Sequence, residues 1–179
     1  PMDPVIDDPL LPRVLLIGDS ISIGYTANVR EMLYGVVNVH RPLTNCGPTT
    51  KGVEELEQWL GGRPWDVIHF NFGLHDLKYM GSNGSNLADP KAEGSHQQVP
   101  IDAYKANMAK IVSRLKLTGA ELIWRNTTPV PEGARGRVPG DSAVYNTAVL
   151  PIIEANNIAV DDMFAYSTDR LGEIQRKAD

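Results

Sequence analysis

Arg13-Val-Leu-Leu-Ile17 runs directly into Gly18-Asp19-Ser20, an unbroken apolar run closed by three small or polar residues that turn the chain. This pattern predicts a buried parallel strand with a turn at its carboxyl end. Outward from it, Ile21 to Leu33 carries apolar residues at helical spacing and stops at Gly35. Val36 to Val39 reads as a second short strand, and Thr49 to Leu60 as an amphipathic helix with Val53, Leu56 and Leu60 on one face, ended by Gly61-Gly62. Val67 to Phe72 is a third strand closed by Gly73. Ile101 to Leu117 is a helix turning Tyr104, Met108, Ile111, Val112 and Leu115 to the core, and Glu121 to Arg125 is the fourth strand. The helix Asp141 to Asn156, with Asp141 as N-cap, precedes the fifth strand, Ile158 to Val160.

Strand and helix alternate throughout, which predicts one α/β domain over 1–179 with a parallel sheet and helices on both faces. Residues 77 to 100 break the rhythm: Gly, Ser, Asn, Pro and Gln dominate, as in a functional or mobile loop. Ligands of such sheets bind beyond the carboxyl ends of the strands. The polar, turn-forming residues fall at those ends: Asp19-Ser20, Asn45 to Gly47, Gly73 to Asp76, Asn126 to Thr128 and Asp161-Asp162.

At 179 residues the chain is long enough to bury a core without staples. Acidic residues outnumber basic ones, 22 to 17, and the net charge of −5 argues against nucleic acid or an anionic membrane surface as partner. No apolar run reaches the length of a membrane span. The single cysteine, Cys46, has no partner for an internal disulfide and reads as a small buried filler. The first residue is Pro1 rather than Met, the start that removal of an export leader would leave, so the compartment is open. No His/Cys/Asp spacing points to a metal, and no cofactor is implied.

A serine in the first strand-to-helix turn sits where free backbone N–H groups and the helix dipole stabilise a developing oxyanion. Taken alone, Ser20 or Ser22 reads equally well as a helix cap, or the turn as an anion site. The order of the strand-end motifs resembles the SGNH (GDSL-type) hydrolases over nearly the whole chain. Gly18-Asp19-Ser20 matches that family's first block, Gly47 the glycine whose N–H enters its oxyanion hole, and Gly73-Leu74-His75-Asp76 its Gly-X-Asn-Asp block, with His75 replacing the asparagine. The resemblance implies a three-layer α/β/α sandwich, strand order 2-1-3-4-5, and ester hydrolysis through an acyl-enzyme on Ser20. Ser20, Gly47 and His75 would form the oxyanion hole, a neutral imidazole donating one N–H.

The family's last block, Asp-X-X-His, supplies an aspartate and a histidine base. Here Lys177-Ala178-Asp179 offers only Asp179. The resemblance therefore implies a natural protein that continues past Asp179 into that block and a final helix, with His75 as a displaced base the other reading. His40 and His69 read as structural, and His96 as a loop histidine. Asp19, Asp76, Asn71 and Asn126 are candidate supporting positions: Asp76 orients a neighbour or stabilises its turn, while Asn71 and Asn126 line the site or satisfy backbone. The substrate implied is a small acyl, acetyl, ester on a carbohydrate. The alternatives are a lipase or thioesterase of the same fold, or a non-catalytic carbohydrate- or anion-binding protein. A flavodoxin-like nucleotide binder lacks its Gly-rich phosphate loop here.

Overall fold

The computed structural model describes residues 3–174. Its main sheet has five parallel strands: β1 (Arg13–Ile17), β2 (Asn38–His40), β3 (Val67–Phe70), β6 (Glu121–Arg125) and β7 (Ala159–Asp161), in the order β2-β1-β3-β6-β7. This is the expected 2-1-3-4-5 order, because β4 (Tyr79–Met80) and β5 (His96–Gln97) form a separate two-stranded antiparallel ribbon.

The helices are α1 (Ser20–Met32), α2 (Thr49–Leu60), α3 (Ile101–Lys116), α4 (Asp141–Ala155), α5 (Met163–Thr168) and α6 (Leu171–Ile174). The step from β1 to β2 runs in one direction across the sheet and every later step in the other. With right-handed crossovers, α1 is therefore placed on one face and α2, α3 and α4 on the opposite face. The packing agrees: α2 rests on α3 and α3 on α4, whereas α1 packs against β1 and β2.

The core lies between the sheet and the α2–α3–α4 layer. Ile68 and Phe70 of β3 and Leu122 and Trp124 of β6 are buried at alternate positions, as period-two strands require. Tyr104, Met108, Ile111, Val112 and Leu115, the predicted core face of α3, are all buried. Tyr104 donates its hydroxyl to the Phe72 carbonyl at 3.0 Å, and Tyr145 donates to the Val99 carbonyl at 2.8 Å. No helix among the described residues is long and apolar enough to cross a membrane.

Several sequence expectations change. The second strand starts at Asn38 rather than Val36, because the N–H groups of Val36 and Val37 are held by the Leu33 carbonyl in the turn that ends α1. The fifth strand is likewise shifted by one residue, to Ala159–Asp161. On α2 Val53 is exposed, and Trp59 joins Leu56 and Leu60 in the core instead. Asp141 is not the N-cap of α4: Gly140 (φ +95°) holds that position, and Asp141 accepts a hydrogen bond from Gln97 Nε2 at 3.1 Å. Residues 77 to 100 form an ordered ribbon and turn docked on the 129–140 loop, the Tyr79 N–H meeting the Gly136 carbonyl at 2.8 Å.

Gly52 lets α2 approach α3 and the chain just past β3 closely. A Cβ there would come 2.8 Å from Ile111 Cδ1 and 2.9 Å from the Phe72 ring. Gly52→Val should therefore lower the unfolding free energy by about 1–3 kcal/mol through overpacking, despite its better helix propensity. Urea denaturation of the two proteins checks this.

Candidate active site

Ser20 is the first residue of α1, so its N–H has no acceptor within the helix. Asp19 caps that helix: its Oδ1 accepts the Ile21 N–H at 2.9 Å, and the side chain is buried. Gly18 is required by space, since a Cβ would press on Ser22 at 2.9 Å. Arg41, buried just past β2, donates from Nη2 to Ser22 Oγ at 2.9 Å and to the Gly18 carbonyl at 3.3 Å. The Cys46 N–H also donates to that carbonyl, at 3.3 Å. The turn that presents Ser20 is thus clamped from the end of the neighbouring strand.

The second wall comes from the end of β3. Gly73 has φ +152°, and a Cβ there would collide with the Thr127 hydroxyl, so the chain turns where only glycine fits. The turn carries Leu74, His75 and Asp76. His75 is half-buried, and desolvation by burial pushes its pKa below the ordinary imidazole value; Asp19 opposes the shift, while Lys78, Arg137 and Lys51 add to it. Burial thus favours the neutral ring.

Ser20 and His75 line one cavity of about 840 Å³, a volume in the range of small-molecule sites. Leu74, Leu87, Val130, Pro131 and Met163 give it apolar walls, and Asp19, Arg125, Arg135 and Arg137 its charged groups. Leu87 comes from the long 77–100 segment and adopts φ +54°, against Gly136, where a Cβ would strike the Leu87 backbone.

The other predicted residues are placed as follows. The Gly47 N–H, in a turn at φ +62°, donates to Asn45 Oδ1 at 2.9 Å, and Gly47 is not part of the cavity lining. Asp76 is fully buried and faces away from the cavity. Its Oδ1 accepts from the Thr49 N–H at 2.8 Å and from Thr49 Oγ1 at 2.5 Å, capping α2 from another strand's end. Asn71 Nδ2 donates to the Arg125 carbonyl at 2.9 Å, and Asn126 bridges Asp162 Oδ1 and the Phe164 N–H, both at 2.7 Å. Both asparagines thus satisfy backbone or caps at strand ends.

His40 pairs with Asp7 at 2.5 Å, His69 pairs with Asp161 at 3.1 Å, and His96 is exposed on β5. Burial raises the Cys46 thiol to about 11, so it is inert as a nucleophile. Asp179 lies outside the described residues.

Sequence reasoning missed Arg41, Arg125, Arg135 and Arg137. Arg41 and Arg125 stand at strand ends, where the polar residues were already converging. Arg135 and Arg137 sit in a Gly/Pro loop that carries no periodic signal.

A five-stranded 2-1-3-4-5 sheet with a serine opening the first helix is the fold of the SGNH (GDSL-type) hydrolases. No family model matches the chain, and no curated protein matches it in sequence. Among solved structures, an acetylxylan esterase from Geobacillus stearothermophilus is similar at 17% identity, covering 91% of this chain and 81% of that one with a TM-score of 0.66. An acetyl xylan esterase termed AlAXEase is similar at 14% identity, covering 90% and 84% with a TM-score of 0.65. A GDSL-like lipase from Bacteroides thetaiotaomicron is similar at 14% identity, covering 83% and 66% with a TM-score of 0.59. At these identities the likeness is one of fold.

Asp76 supplies a pH test. Burial raises its pKa from 3.8 to about 7, against the hydrogen bonds from Thr49. The folded protein keeps this proton to about pH 7, whereas the unfolded chain releases it near 3.8. Stability from this group is thus present below the unfolded pKa and is lost as the pH rises through the folded one. Asp76→Asn should flatten the decline in urea midpoint between pH 4 and pH 8 relative to the unsubstituted protein.

Proposed function

We propose that the chain is a carboxylic ester hydrolase that works through an acyl-enzyme on Ser20. The observation that carries this reading is Ser20 at the amino end of α1, facing the same cavity as His75, whose neutral form burial favours, in an SGNH hydrolase fold. Ser20 Oγ adds to the ester carbonyl and its proton passes to a second histidine, which is not among the described residues of the cavity wall. The carbonyl electrons move onto oxygen, which takes hydrogen bonds from the free Ser20 N–H and from one N–H of His75. Collapse expels the alcohol, which leaves with the proton from the base, and water then releases the acid by the same two steps.

Gly47, whose N–H is held by Asn45 Oδ1 and which does not line the cavity, is not a donor in this scheme. His75 suits the donor role because desolvation favours its neutral form and the Gly73 turn holds its backbone. We assign a small acyl ester of a carbohydrate as substrate. Support comes from the acetyl xylan esterases among the similar structures and from a cavity sized for a small ligand.

Two experiments test the reading. A fluorophosphonate probe should label the protein stoichiometrically and fail to label Ser20→Ala; equal labelling of both would overturn the assignment of the nucleophile. With 4-nitrophenyl acetate, His75→Asn should keep hydrolysis within about tenfold while His75→Ala loses about 10²–10³-fold, the usual cost of one oxyanion donor. Equal loss in both variants would assign proton acceptance, not donation, to His75.

A further inference from the structure

The cavity beside Ser20 has a charge balance opposite to that of the protein. The chain carries a net −5, yet the charged groups lining this cavity are three guanidiniums, of Arg125, Arg135 and Arg137, against the single carboxylate of Asp19. Burial favours the uncharged form of His75, so the ring adds little to this positive charge.

The three arginines are not equally engaged. Arg125 lies over the Tyr25 ring at 4.7 Å, with Nε 4.0 Å from Asp161 Oδ2, so part of its charge is already answered. Arg137 is half-buried and spends Nε on the Leu74 carbonyl at 3.1 Å, in the turn that carries His75. No carboxylate among the described residues lies within ion-pair distance of Arg137 or Arg135. A guanidinium does not shed its proton to escape burial, so Arg137 keeps a charge in a partly desolvated wall, eased by the longer-range attraction of Asp19 but by no ion pair among the described residues. Lys78, half-buried nearby, strengthens the positive field.

A concave site lined by one sign of charge concentrates ligands of the other sign. A guanidinium fork lining a cavity matches the paired oxygens of a carboxylate, sulfate or phosphate. We propose that this cavity selects esters whose alcohol or acyl part carries an oxyanion, held by Arg137 and Arg135 while Ser20 addresses the ester carbonyl. Arg137 and Arg135 are specificity-determining residues in this scheme. The inference rests on the esterase reading for the reaction but not for the binding, and the two are separable by experiment.

The test uses a matched pair, an O-acetylated methyl glucuronoside and the corresponding O-acetylated methyl glucoside, which differ by one carboxylate. The expected result is a KM at least about tenfold lower for the glucuronoside, the scale of one charge-assisted hydrogen bond. That preference should narrow as salt is raised and fall to about one in Arg137→Gln. Arg135→Gln guards against a folding artefact, because Arg135 is exposed and holds no hydrogen bond or ion pair among the described residues; it should lose part of the preference.

Calorimetry with Ser20→Ala measures binding of the same two sugars without turnover, and competition by inorganic sulfate or phosphate against glucuronate tells which oxyanion the fork prefers. Equal KM values, or a preference that survives both arginine substitutions, would overturn the proposal and leave the esterase reading intact. Anion-selective binding to Ser20→Ala, lost with Arg137→Gln but without hydrolysis of either ester by the unsubstituted protein, would uphold it and remove the esterase reading.

Discussion

One buried carboxyl group ties the sheet to its helical layer. Asp76 Oδ1 receives both the N–H and the hydroxyl of Thr49, and Thr49 Oγ1 accepts from Asn107 of α3 at 3.2 Å. A single side chain at the end of β3 thereby anchors the start of α2 and, through Thr49, the flank of α3. Pro48 at the N-cap position makes no side-chain cap, so the helix takes its cap from elsewhere in the fold. The cost is desolvation, since Asp76 Oδ2 finds no hydrogen-bond partner among the described residues. Burial answers that cost by raising the pKa towards 7, which lets the group be neutral. Because His75 immediately precedes Asp76, whatever fixes the carboxyl also constrains the backbone that carries the ring.

The sheet and its order were legible in the sequence for a simple reason. Parallel strands of a covered sheet show as short apolar runs, and Arg13–Ile17 and Glu121–Arg125 have the predicted ends. Helix α3 was equally clear because all five of its core positions fall on one 3.6-residue face. The errors fell where local pattern competes with tertiary contact. Val36 and Val37 look like strand but are drawn into the turn after α1, and Val53 yields the core to Trp59. Asp141 has the residue type of a cap, yet a left-handed Gly140 starts the helix and frees Asp141 to hold Gln97.

The site was legible in part, and along the same division. Ser20 and His75 lie at strand ends, where topology alone brings residues together, and they do line one cavity. Asn71, Asn126 and Asp76 share that address, but their polar atoms are spent on carbonyls, a helix cap and Thr49. A strand-end position tells that a residue is near the site; only its hydrogen bonds tell whether it is available to a ligand. The arginines escaped notice for the converse reason. Arg135 and Arg137 reach the cavity from a loop whose path is set by glycines and by docking against the 77–100 segment, a long-range contact with no sequence period.

The two loops account for what the shared sheet cannot. Leu87 from one and Arg137 from the other meet at Gly136, where the Leu87 backbone packs so closely that no side chain fits. Arg137 in turn holds the Leu74 carbonyl, which is part of the turn presenting His75. The loop pair is therefore mechanically continuous with the Ser20–His75 end of the cavity: Arg137, one of the three arginines on the wall, also braces the segment bearing the imidazole. A change that loosened the Leu87–Gly136 contact would move Arg137 and His75 together. In the proposed scheme, anion recognition and oxyanion stabilisation would for that reason be coupled. The sheet fixes where Ser20 stands, and the loops line the cavity in front of it.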